Sequence, residues 1–295
     1  MNSINVDFKP HLRKIELLTQ QPVESEFIGE FRSLQRRKGI EFEDYRLFAP
    51  GDDSAVIDWK ASKRTGHLLL REYTQIRTLS VFIVLDVSNS MLFSSVSKLK
   101  CEYAAELAAA LSYYFIKSDD MVSLTLFNDK IVKFLPVNFG TRHFNAITQV
   151  LTNPALYGGG FNLTNCLGKV QGLIREGSVV VIISDFIGLE KNWQQSLEIL
   201  SKKGDIIAMV VRDPLDMKIT EKIGQAVISD PFSDNVILVD TAAVKQEYER
   251  MAEQQLLAIE AVVKRSKGDM LFLDTSRPFD DDVIKFFAKR KARWK

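Results

Sequence analysis

The feature that most constrains the fold is residues 79–85, a run that is apolar except for Ser80 and stops abruptly at Asp86. A strand with no polar alternation has to be covered on both faces, as in the middle of a parallel sheet. Beyond Asp86 lies a serine-rich stretch to residue 97. Residues 98–117 then carry Cys101, Ala104, Ala105, Ala108, Leu111 and Phe115 on one helical stripe. Strand, polar loop and helix in this order put the loop at the carboxyl end of a strand and beneath a helix N-terminus. Open α/β sheets bind ligands there.

Within that loop Asp86, Ser88 and Ser90 alternate, so a partly extended backbone turns all three oxygen-bearing side chains toward one point. One carboxylate and two hydroxyls suit a small hard cation, Mg²⁺ or Mn²⁺. On this motif alone the plainer reading leads, in which Asp86 ends the strand and the serines cap the next helix. A second hydrophobic run, 179–184, ends in Asp185; if the strands alternate with helices, Asp185 emerges at the same sheet edge as Asp86. Residues 121–127 and 131–135 read as two strands joined by Asn128-Asp129-Lys130. So short a connection forces an antiparallel hairpin at one edge of the sheet. Gly158-Gly159-Gly160 precedes a helical pattern over 163–174, yet no Gly-Lys-Ser/Thr follows, so the loop gives little support to nucleotide binding. Further strands are expected at 206–211, 236–239 and 270–273, and helices at 193–200, 242–264 and from Phe279 onward.

The N-terminal third reads differently. Residues 10–38 carry helical patterns on either side of Pro22, and Gly39 ends the second. A short strand from Ile40, a turn at Pro50-Gly51, a helical turn around 57–63 and a strand at Leu68-Leu69-Leu70 follow. Ile40, Phe42, Trp59 and residues 68–70 are expected to need burial. The dense charges of Arg46, Asp52, Asp53, Asp58, Lys60, Lys63 and Arg64 read as an ion-paired scaffold or a recognition face.

With 46% hydrophobic residues over 295, the chain can bury one large core or two modest ones. No apolar run approaches the roughly 18 residues a spanning helix requires. A soluble, cytoplasmic protein is expected, with Cys101 and Cys166 as buried reduced thiols. The three histidines fall in different elements, which argues against a zinc site or a His-based triad. A net charge of +1 argues against a nucleic-acid binder. The basic stretch Lys285 to Lys295, preceded by Asp280, Asp281 and Asp282, reads as a last helix whose charges complement its dipole. The other reading is docking onto an acidic partner or peripheral contact with an anionic membrane surface.

Asp86-Val87-Ser88-Asn89-Ser90 resembles the D-x-S-x-S opening of the metal-ion-dependent adhesion site in von Willebrand factor A domains. Gly39 to Arg46, Pro50-Gly51-Asp52-Asp53 and Ile57 to Arg64 resemble the signature of the bacterial family called domain of unknown function 58. The resemblance implies a von Willebrand factor A-like α/β fold over 79–295, with a mostly parallel central sheet, one antiparallel edge strand and helices on both faces. Residues 1–78 would be an N-terminal extension. It also implies a metal site of Asp86, Ser88, Ser90 and Asp185 for Mg²⁺ or Mn²⁺. Phe161 stands where such domains place a threonine ligand, which weakens the site, and Thr164 is the candidate substitute. The implied function is a non-enzymatic protein–protein interaction module in which a client's acidic side chain completes the metal shell. It would work with a AAA+ ATPase of the MoxR type in chaperone-like assembly or stress response. The alternatives are a structural scaffold with a degenerate site and a metal-dependent phosphoesterase.

Overall fold

The computed structural model describes residues 5–7, 10–11, 40–49, 52, 57–75, 78–219 and 224–293. In chain order the first elements are β1 (Ile40–Leu47), α1 (Trp59–Thr65) and β2 (Leu69–Gln75). The central region follows as β3 (Ser80–Asp86), α2 (Lys100–Lys117), β4 (Met121–Phe127), β5 (Ile131–Asn138), α3 (Gly140–Leu151), α4 (Leu163–Leu173), β6 (Ser178–Ser184), α5 (Trp193–Ser201) and β7 (Gly204–Arg212). Last come α6 (Pro214–Met217), β8 (Gln225–Ser229), β9 (Val236–Asp240), α7 (Thr241–Arg265), β10 (Asp269–Asp274) and α8 (Asp280–Arg293).

Six strands form the central sheet in the order β10-β7-β6-β3-β4-β5. Every pairing is parallel except β4 with β5. The three-residue connection from Phe127 to Ile131 leaves the chain no room for a crossover, which explains the reversed edge strand. Along β3 the side chains alternate between two cores. Val81, Ile83 and Leu85 join α2, α3 and α8 on one face, while Phe82 and Val84 join α4, α5 and α7 on the other. The fold is therefore von Willebrand factor A-like, with β3 at its centre and its strand ends carrying the site.

Helix α2 is buried almost all round because Ala104, Ala105, Ala108, Ala109 and Ala110 let it approach the sheet closely. Its first turn is closed by Glu102, whose carboxylate accepts the Leu99 N–H at 3.0 Å. Cys101 on α2 and Cys166 on α4 lie buried in opposite cores. On the outer side of α2, Asn5 N–H donates to Glu102 Oε1 (2.7 Å) and Asp7 N–H to Glu106 Oε1 (2.8 Å). His11 stacks on Phe279 with ring centroids 4.3 Å apart, and its Nδ1 lies 2.8 Å from Asp280 Oδ1.

Several expectations need correction. Residues 236–239 do not extend the sheet–helix alternation: β9 pairs antiparallel with β8, a strand absent from the sequence reading, and together they form a separate hairpin. The strand expected at residues 68–70 is β2, which pairs antiparallel with β1 in a sheet of its own. Trp59, expected to be buried, is 66% exposed, because it stands at the first position of a short helix whose inner contact is made by Ser62. Of residues 68–70, Leu70 is buried and Leu68 exposed. The helices expected over 12–38 and the turn at Pro50-Gly51 lie outside the described residues.

The charged block around 46–58 resolves into local pairs. Arg46 grips Asp52 through two bonds of 2.6 and 2.7 Å. Asp58 caps α1, accepting from the Lys60 and Ala61 N–H groups, and takes the Tyr45 hydroxyl at 2.9 Å. At the other end of the chain Arg290 is not a free member of a basic tail. It is buried between Asp205 and Asp269, at 2.6 and 2.7 Å.

Candidate functional site

Parallel neighbours end at the same edge, so β3, β6 and β7 deliver Asp86, Asp185 and Asp213 there together. The loop after β3 folds as expected in one respect. Ser88 N–H donates to Asp86 Oδ1 (2.9 Å) and the Ser88 and Ser90 hydroxyls meet at 3.1 Å, so the three oxygen-bearing side chains do converge. The backbone is not extended throughout, because Asn89–Leu92 is a 3₁₀ turn. Its position is fixed by the glycine-rich loop: Asn89 N–H donates to Gly159 O (3.0 Å), Gly159 N–H to Asn89 Oδ1 (2.8 Å) and Gly158 N–H to Val87 O (2.6 Å). Gly159 has φ +98°, and a β-carbon there would sit 2.5 Å from Asn128 Nδ2, so this loop requires glycine.

Asp86 is fully buried and its second oxygen accepts the Ser184 hydroxyl at 2.6 Å. Burial, then the nearby charge of Asp185, push its carboxyl up to about 7 against the opposing pull of those hydrogen bonds. Asp185, also buried, is set by an unusual backbone. Phe186 after it takes φ +53°, uncommon for a bulky residue and a hallmark of strained functional loops. Ile187 N–H donates to Asp185 Oδ1 at 2.9 Å.

The other Asp185 oxygen is held by a residue that sequence reasoning missed. Lys100, the first residue of α2, is 1% exposed and places Nζ 2.7 Å from Asp185 Oδ2 and 2.8 Å from Asp216 Oδ2. Burial opposes its charge, but the two carboxylates outweigh burial and hold its pKa above the usual lysine value. The network continues to Asp213, whose N–H donates to Asp216 Oδ2 and whose carboxylate takes the Ser95 N–H (2.7 Å) and hydroxyl. In sequence terms Asp213-Pro214 signals only a turn after the strand. The pattern that could have revealed it is a third apolar strand ending in an acid.

The remaining expected ligands are not offered to an ion. Phe161 packs between Phe127 and Phe232, with centroids at 5.9 and 6.1 Å, and brings no oxygen. Thr164 donates its hydroxyl to Glu190 Oε2 at 3.0 Å. Among the described residues no group of three or more His, Cys, Asp or Glu side chains is arranged to hold a metal ion. Asp86, Ser88 and Ser90 give part of a hard-cation shell, and Asp185 is committed to Lys100. The set as arranged does not fit the six-oxygen preference of Mg²⁺ or Mn²⁺.

The rim of the site is apolar. Gly188 (φ +83°) lets Phe232, in the turn between β8 and β9, come so close that an added β-carbon would lie 2.6 Å from its ring. Phe232 also stacks toward Phe161, so the hairpin is fastened beside the site. Val227 pairs with Leu238 and Ser229 with Val236, and this face of the hairpin is open to solvent. Val227 is 67% and Leu238 66% exposed.

Fold and strand-end site together define a von Willebrand factor A-like α/β protein with a closed polar centre. The chain belongs to the family described as protein of unknown function DUF58, whose model matches residues 44–257. An uncharacterized protein of Mycobacterium tuberculosis (strain ATCC 25618 / H37Rv), Rv1480, is 26% identical over 286 residues, covering 95% of this chain and 89% of the relative. Among solved structures, BatB from Bacteroides thetaiotaomicron matches with TM-score 0.49 and 18% identity, covering 73% of this chain and 99% of its own. A von Willebrand factor type A protein from Catenulispora acidiphila matches with TM-score 0.34 and 10% identity, covering 75% of this chain and 51% of its own. Among the described residues no helix is long and apolar enough to cross a membrane.

Proposed function

We propose that the chain is a non-enzymatic protein–protein interaction module that works with a AAA+ ATPase of the MoxR type in chaperone-like assembly or stress response. Its docking surface is the open face of the β8–β9 hairpin. The observation that carries this reading is the exposure of Val227, Val236 and Leu238 side by side on a two-stranded unit. Contiguous branched aliphatics on a solvent face mark interaction sites more often than chance contacts. The hairpin's attachment to Gly188 and Phe161 ties that face to the loops of the polar centre. The polar centre favours a binding role over a chemical one, because Ser88 and Ser90 are buried and hydrogen-bonded to each other rather than presented as nucleophiles. Two buried free cysteines accord with a cytoplasmic meeting of the partners.

Hydrogen exchange with the purified ATPase tests the reading. Amides of residues 225–240 should slow on mixing; an unchanged hairpin with protection elsewhere would overturn it. A structural scaffold is the second reading, favoured by the self-contained Asp185–Lys100–Asp216 network, and it predicts no protection by any partner.

A further inference from the structure

We infer that the Lys100 ammonium is the resident cation of this edge: it occupies Asp185, the carboxylate that a divalent ion on the D-x-S-x-S loop would also need, so that the edge takes no metal. The inference concerns the site alone and does not depend on which partner the hairpin binds.

Four observations carry it. First, Nζ sits between Asp185 and Asp216 oxygens at 2.7 and 2.8 Å with the side chain sealed from solvent, so one carboxylate of the expected shell already has a cation. Secondly, each carboxylate oxygen of the expected shell already receives a proton donor, and the serine hydroxyls are engaged with each other. Asp86 takes Ser88 N–H and the Ser184 hydroxyl, Asp185 takes Ile187 N–H and Lys100, and the two serine hydroxyls share one hydrogen bond. Thirdly, the position that would supply another oxygen is Phe161, and Thr164 is turned to Glu190. Fourthly, Lys100 is anchored and cannot swing aside freely: it begins α2, and its ammonium lies 5.8 Å from the centre of the Phe93 ring. A doubly charged ion entering beside this ammonium would meet a like charge in a water-poor site, where such repulsion is strong.

A covalently tethered cation differs from a bound ion in ways that matter. Chelators do not remove it, its occupancy does not follow metal supply, and it adds one positive charge where Mg²⁺ would add two. An incoming carboxylate of a partner therefore finds no vacant coordination position at this edge.

The test uses the full-length protein and Mn²⁺ alone, followed by the loss of the free-ion paramagnetic resonance signal. Wild type should take up no Mn²⁺ more tightly than about 1 mM, the weak end of protein cation sites. Lys100→Met keeps most of the length of the side chain and removes its charge. It should bind at least about tenfold tighter once the repulsion is gone, and Lys100→Met/Asp185→Asn should lose that gain. A folded Lys100→Met, verified by circular dichroism, with no gain in affinity would overturn the inference. If Lys100→Met does not fold, the wild-type titration decides: no uptake supports the inference, and uptake abolished by Asp185→Asn overturns it. Neither result touches hairpin protection by the ATPase, so the two proposals fail separately.

Discussion

His11 supplies a pH-dependent clasp between the N-terminal segment and two helices, and its removal should flatten the stability profile in a defined window. Its Nδ1 lies 2.8 Å from Asp280 Oδ1 and its Nε2 3.5 Å from Glu106 Oε2. Burial alone would lower the imidazole pKa, but the hydrogen bonds to Asp280 and Glu106, and then their charges, carry it from 6.5 up to about 9. A histidine raised on folding stabilises the native state fully below its unfolded value, and that stability is lost as pH rises through the folded one. The window therefore runs from about pH 6.5 to about pH 9. Taken at face value the rise is worth roughly 3 kcal/mol. Solvent at Asp280 and at the 14% of the His11 side chain left open screens the pairs, so about 1–2 kcal/mol is the expected loss. Urea unfolding of wild type and His11→Gln at both ends of the window measures it. Wild type should lose about 1–2 kcal/mol more than the variant between them. Parallel profiles would refute the clasp.

Two further substitutions probe the frame around the site. Arg290→Met leaves Asp205 and Asp269 without their shared cation at the sheet edge. It should cost about 2–4 kcal/mol by urea unfolding, with most of the loss recovered when Asp205→Asn is added; no recovery would count against the pairing. Gly188→Ala combines φ +83° with a clash on the Phe232 ring. A loss of about 1–3 kcal/mol is expected, together with faster hydrogen exchange over 225–240, whereas unchanged exchange would mean that the hairpin is not held there.

Much of this could be read from the sequence, and the limits have physical causes. Buried strands announce themselves by unbroken apolar runs, and because parallel strands share an edge, the acids ending two of them could be placed together from the sequence. The convergence of Asp86, Ser88 and Ser90 was legible only in part, since Ser90 is brought in by a 3₁₀ turn held by the glycine-rich loop and not by extended alternation. Lys100 was hidden because a lysine in the first turn of a helix ordinarily points to solvent, and only the packing of α2 against β6 and β7 seals it. Asp216 was hidden because its role depends on the short helix α6 placing it under Lys100. The hairpin escaped because β8 is five residues long and a six-residue turn separates it from β9. Trp59 shows the converse error, in which aromatic character alone was read as a demand for burial.

Recognition of the open hairpin face by a partner is open to affinity capture with one paired variant. Val227→Lys/Leu238→Glu replaces two exposed aliphatics that face each other across the strands with opposite charges, so the hairpin pairing is kept. Folding stability should shift by no more than about 0.5 kcal/mol. Wild-type protein immobilised in lysate of its own organism should retain the AAA+ ATPase, and the variant should release it. Retention of the ATPase by the stably folded variant at the wild-type level would contradict the claim.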